Sequence, residues 1–344
     1  MKNRCLTKLR DRFFKSAINP SIPMHTTRLK NHPRSLTAAL AVLTGLLAAT
    51  FASPAHAASI TSTKGGDYTD PTVWSNNAVP SSDNDYTIGH AIQFPANASA
   101  GHTFAGNSLT LGASSTLVIR PAAGLVTISD LRIGGNSGQI QNWNNGTARL
   151  AGKITVTSYG IINPTSNRTI EISSLIQGTG YLNIRNGIVQ LTSANNTYSG
   201  GTDIVFNSGG NGRLEVLADG ALGTGKVHLI DPGVSLKLSG GATNNYINDN
   251  ADLILNAGLA AGAVDLSFVG TDIIGRLSLD GGATWITSGT YGSLASDAQN
   301  KLAVFAGSGI LQIGTSNIPE VSTSALVAAL AVISVAFIFR RRRA

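Results

Sequence analysis

The chain has 344 residues, 42% of them hydrophobic and 12% charged, with 39 glycines and a formal net charge of +7. That charge would by itself point to nucleic acid or an anionic membrane, but it is confined to the ends. Nine Lys/Arg lie in residues 1–57 and four at 340–343, so the middle holds 12 basic against 16 acidic residues and no nucleic-acid partner is expected. The only cysteine, Cys5, and both methionines, Met1 and Met24, also precede residue 58, which excludes disulfides and cysteine–zinc sites from the middle.

In chain order, the first feature is Leu36 to Phe51, an uncharged apolar run preceded by Arg28, Lys30 and Arg34 and followed by Ala55-His56-Ala57. A basic region, an apolar core and a small-x-small site are the parts of a secretory signal peptide. Residues 1–57 are therefore read as the signal, cut after Ala57 so that Ala58 begins the mature chain, with Met24 an alternative start. An uncleaved membrane anchor fits less well, because the run is short and ends at Pro54.

From residue 58 to about 318, helix periodicity is nearly absent. Short β-rich runs recur at 116–120, 125–129, 153–158, 169–173, 181–184, 188–192, 203–206, 213–217, 226–230, 235–238, 252–255 and 310–313. Most alternate apolar and polar residues between Gly, Asn or Asp clusters, the pattern of half-buried strands joined by tight turns. The expected fold is all-β, a right-handed parallel β-helix or solenoid in which each turn buries its inward side chains against the next. A β-sandwich is the alternative, above all for residues 58–172. In that entry region Trp74 is expected to cover the open first turn.

One stretch carries a family pattern. Asn195-Asn196-Thr197-Tyr198-Ser199-Gly200-Gly201-Thr202 is followed, after Leu214-Glu215-Val216, by Asp219-Gly220-Ala221-Leu222-Gly223. This resembles the autotransporter-associated β-strand repeat, which implies that 173–230 is one such repeat, with Tyr198 and Leu222 as core plugs. Residues 231–317 are read as final β turns and a cap.

At the other end, Val321 to Phe339 is nineteen residues without a charge. At about 1.5 Å per residue such a helix roughly matches a bilayer core. Arg340, Arg341, Arg342 and Arg343 follow at once and would hold the C-terminus in the cytoplasm as a stop-transfer signal; a buried helix is the less apt reading. With Ile318-Pro319-Glu320-Val321 ahead of it, segment 318–344 resembles a PEP-CTERM sorting signal, here with Val321 in place of the second proline. The resemblance implies processing by an exosortase-type transpeptidase after export and signal-peptidase cleavage. The expected location is then transient inner-membrane anchoring followed by the cell surface or extracellular matrix of a Gram-negative bacterium.

The middle offers little recognisable chemistry. His90, His102 and His228 lack metal-pair spacing. Asp83 and Asp85 are the one close carboxylate pair, and an Asp-Asn-Asp turn ahead of a strand is more often backbone capping than a Ca²⁺ or acid–base site. Asp203, Glu215, Asp219 and Asp231 are scattered along the chain with no basic cluster beside them. No catalytic residue, metal or cofactor is assigned. The expected function is a non-enzymatic surface or matrix solenoid associated with exopolysaccharide, adhesion or biofilm. The alternatives are a polysaccharide-active β-helical enzyme, or a carbohydrate-binding module using exposed coplanar Trp143, Tyr181 or Trp285.

Overall fold

The structure is a computed structural model and describes residues 57–95, 101–120 and 124–314. These form an all-β solenoid of about nine turns, built from parallel ladders. The parallel stacking replaces the sandwich alternative, including in the described parts of 58–172. The only helical element among the described residues is the three-residue 3-10 turn Pro71–Val73. The signal-peptide core, Ala55, the sorting motif and the four arginines lie outside the described residues. Ala57 and Ala58 lie inside them, with Ala58 exposed at the start of the first strand, Ala58–Thr61.

Each turn presents up to three faces. The third is a ladder of its own, running from Gly66–Asp67 through Tyr159–Asn163, Tyr181–Ile184, Thr202–Ile204 and Val227–Leu229 to Arg276–Ser278. The first and second faces are joined by two long strands, Leu125–Ile133 and Thr147–Val156. The front half of Thr147–Val156 pairs with Thr169–Ile172 on the first face, and its rear half with Leu175–Gln177 on the second. The bend between them carries a register shift at Gly152. Only glycine suits that corner: φ is +105°, and a Cβ there would stand 2.0 Å from the Ile128 carbonyl oxygen.

Alternation within each strand and in-register stacking between strands produce the core together. On the first face Ala148, Ile170, Val189, Leu214, Leu236, Val264 and Phe305 form one inward column. On the third face Leu117, Ile140, Ile162, Ile184, Ile204, Leu229 and Leu255 form another. All of these side chains are buried, and full burial of a Val, Leu, Ile or Phe side chain contributes about 1.5–3 kcal/mol.

The shaft is mainly aliphatic, whereas aromatic side chains cluster at its N-terminal end. Trp74 packs edge-on to Tyr86 at 4.9 Å, Tyr86 edge-on to Phe104 at 5.4 Å, and Tyr68 against Phe94 at 4.4 Å. The indole of Trp74 donates to the Tyr68 carbonyl at 2.8 Å. Residues 73–75 run back along the edge of the first strand: Thr63 N–H donates to Val73 O, Ser75 N–H to Thr61 O, and Ser62 bridges Trp74 in antiparallel fashion. Antiparallel pairing recurs near the other end, where Gly289–Gly292 lies against Ile310–Ile313 and Leu277 bridges Ile286.

Candidate functional site

The outward side of the third face brings together residues far apart in sequence. Because Ile162, Ile184, Ile204 and Leu229 point inward, their strand neighbours Ile161, Asn183, Asp203 and His228 point outward and stack in one row. Tyr159 and Tyr181 form a second row beside it, with ring centroids 4.8 Å apart and planes 36° apart. The Arg185 guanidinium lies 5.6 Å from the Tyr159 ring centre and donates to both the Tyr159 hydroxyl and the Asn183 side-chain oxygen. Asn183 is buried by this arrangement despite facing outward.

Further along the row, His228 is held from two sides. Its Nε2 lies 2.9 Å from Asn256 Oδ1, while Asn256 Nδ2 donates to the Ile230 carbonyl at 2.7 Å. That second bond turns the amide oxygen toward the ring, so Nε2–H is the donor. The other ring nitrogen, Nδ1, then faces Asp203 Oδ1 at 3.8 Å. Burial pushes the Asp203 carboxyl above its ordinary range, against the pull of Lys226 and His228 in the opposite direction. At the end of the face Arg276 binds Asp252 through two bonds of 2.9 and 2.7 Å, and its guanidinium stacks 4.0 Å over the Trp285 ring. The expectation that Asp203 has no basic company is therefore corrected: Lys226 and His228 lie beside it, one solenoid turn away in sequence.

The other acids are used structurally. Asp85 accepts from Ser108 Oγ at 2.7 Å, and Asp83 sits in the preceding turn, so the two do not act as a pair along one strand. Glu215 lies on the first face, bonded to Arg213 and Gln190. Asp219 caps the turn above it, accepting from the N–H groups of Ala242, Thr243 and Asn245. Asp231 accepts from Phe206 N–H. His90 bonds Ser62 Oγ at 2.9 Å, and His102 bonds Pro95 O at 3.1 Å. Among the described residues no three His, Cys, Asp or Glu side chains gather as a metal would require.

The repeat motifs occupy one corner on successive turns. Asn195 N–H and Asn196 N–H donate to the Asp219 and Gly220 carbonyls, and Asn196 Nδ2 donates to Ala221 O at 2.8 Å. Tyr198 and Leu222 are buried in the core. The Tyr198 hydroxyl bonds Thr202 Oγ1 at 2.7 Å, and burial holds its pKa far above the ordinary phenol value. Gly200 and Gly201 follow at the bend into Thr202–Ile204, with Gly201 at φ +96°.

The three aromatic residues singled out for sugar stacking are separated. Trp143 is exposed and donates to Gln141; Tyr181 has one ring face against Tyr159; Trp285 has one face under Arg276. A coplanar platform among them is absent. No protein-family model, curated protein or solved structure matches the chain.

Proposed function

We propose that this is an exported cell-surface or matrix protein whose solenoid serves as a scaffold for extracellular polysaccharide. The observation that carries the reading is the outward side of the third face, from Tyr159 and Arg185 to Lys226, His228 and Arg276. There hydrogen-bonding, charged and aromatic groups recur at the rung spacing of about 4.8 Å. A linear polymer lying along the axis meets another polar, charged or aromatic group on most turns, and many weak contacts add along one rigid support. The apolar run with its small-residue site and the Pro319-Glu320 tail support export and sorting, with signal peptidase and an exosortase-type transpeptidase as processing partners.

The test is deletion in the native host. Loss of polysaccharide retention or aggregation, restored by the wild-type chain and not by a Tyr181→Ala/Lys226→Ala variant, is the expected outcome. Unchanged biofilm and no polysaccharide bound by the purified chain would remove the proposal.

The pairing of a carboxyl whose pKa is raised by burial with an imidazole, Asp203 and His228, favours a polysaccharide-cleaving enzyme as a second reading. Appearance of new chain ends on incubation with polysaccharide, abolished by Asp203→Asn, would establish it over the scaffold.

A further inference from the structure

The turn after Ile204 is longer than packing requires. Ile188 stacks on Thr169, a turn of 19 residues (188 − 169). Arg213 stacks on Ile188, a turn of 25 (213 − 188). The excess forms a hairpin, in which Phe206 and Asn207 pair antiparallel with Asn211 and Gly210. It adds nothing to the core, and Phe206 at its base is 53% exposed.

This hairpin walls a cavity of about 500 Å³ where the third face turns into the first. The cavity crosses four successive rungs, from Ser166 and Asn167 past Gly187 and Gly209–Gly212 to Ser235, a length of roughly 14 Å at the spacing of parallel strands. Hydroxyl and amide groups line it. Its one charged residue, Arg213, is already held by Glu215 at 2.9 Å. At Gly209 the three atoms nearest to a Cβ would be side-chain atoms of Asn186 and Ser166, at 3.3–3.4 Å, and φ there is not positive. Neither main-chain conformation nor main-chain contact requires glycine at that position; what its lack of a side chain does is keep the trough open.

We infer that this trough binds a short run of a neutral, hydroxyl-rich glycan lying parallel to the solenoid axis. The inference rests on the polysaccharide reading above and names both the place and the ligand class. Neutrality follows from the lining: an anionic polymer would find one cation, and that cation is already paired, so its own charge would be desolvated without compensation. A neutral glycan exchanges water for the Ser166, Asn167, Asn211 and Ser235 groups and for main-chain amides that the glycines leave approachable.

The experiment titrates the full chain in detergent with cellohexaose, dextran and alginate. Three variants are compared with wild type: Gly209→Leu, which fills the trough; Ser166→Ala/Ser235→Ala, which removes two hydroxyls without adding bulk; and Lys226→Ala on the third face. The expected result is binding of a neutral glycan that weakens at least tenfold in the two trough variants and by less in Lys226→Ala, which removes a single contact of the third face and leaves the trough intact. If Gly209→Leu fails to fold, as judged by circular dichroism, the double alanine variant gives the same reading alone. Binding of alginate in preference, lost with Lys226→Ala and kept by the trough variants, overturns the trough and leaves the polysaccharide reading standing. Binding of none of the three glycans overturns both.

Discussion

At the scale of single residues, Asp272 is the most unusual group in the body. It is 1% exposed, its Oδ2 accepts from Ile247 N–H at 3.2 Å, and its Oδ1 has no hydrogen-bond partner among the described residues. Asn196 has the same kind of position: its Oδ1 accepts from Ile176 N–H, and its Nδ2 donates to Ala221 O. At Asp272, desolvation and the neighbouring Asp249 and Asp219 charges favour the protonated carboxyl over the carboxylate. Burial accordingly pushes the Asp272 pKa up to about 8. The folded chain then binds more protons than the unfolded chain between the ordinary aspartate pKa and about 8. Stability should be full at the acid end of that window and fall as pH rises through it, by up to about 1.4 kcal/mol per pH unit. Denaturant melts from pH 4 to 9 measure the slope, and Asp272→Asn should flatten it and raise stability most at high pH. Tyr198 provides a second check. Tyr198→Phe leaves the buried Thr202 hydroxyl without its partner and should cost about 1–3 kcal/mol in the same assay.

At the scale of elements, the two repeat motifs make sense as neighbours. The Asn-x-Tyr turn and the Asp-Gly-Ala-Leu-Gly turn bond to each other across one rung, and the Tyr198 carbonyl accepts from Thr224 N–H at 3.0 Å. Gly223 passes so close that a Cβ would stand 2.3 Å from that carbonyl oxygen, at φ +65°. Gly223→Ala should therefore destabilise by more than the roughly 1–2 kcal/mol of a left-handed alanine alone, read as a lowered urea midpoint. The strands themselves were largely legible from sequence: alternation at Thr169–Ile172, Gly187–Leu191 and Ser235–Leu238 follows directly from having one face in the core. Tyr159–Asn163 and Leu175–Gln177 escaped notice, because the first is buried along nearly its whole length and does not alternate, and the second has only three residues. Between Leu175–Gln177 and Thr271–Ile274 the second face has no regular strand: Thr197 N–H donates to Ile176 O, and Tyr198 fills the core in place of an aliphatic strand residue.

For the whole molecule, the ends are the physical problem. A parallel ladder terminates in unpaired N–H and C=O groups that invite another chain. Here segments folded back in antiparallel sense lie along both terminal regions, with Trp74 wedged against Tyr86 at one of them. Trp74→Ala should cost about 3–5 kcal/mol and, by loosening the 71–75 segment, promote end-to-end association visible as concentration-dependent growth in light scattering. The sequence by itself determined the class of this protein: an all-β body of alternating strands joined by Gly/Asn turns, with the net positive charge held in the terminal segments; between solenoid and sandwich it left the choice open. These are local properties, expressed within a few residues. Only the tertiary structure decided which residues share a surface. Turn length varies from 19 residues between Thr169 and Ile188 to 41 between Val264 and Phe305 (305 − 264), so no fixed period joins Asp203 to His228 or Ser166 to Ser235. Their proximity comes from the register of stacked strands, which the buried column of each face sets and which no single strand contains.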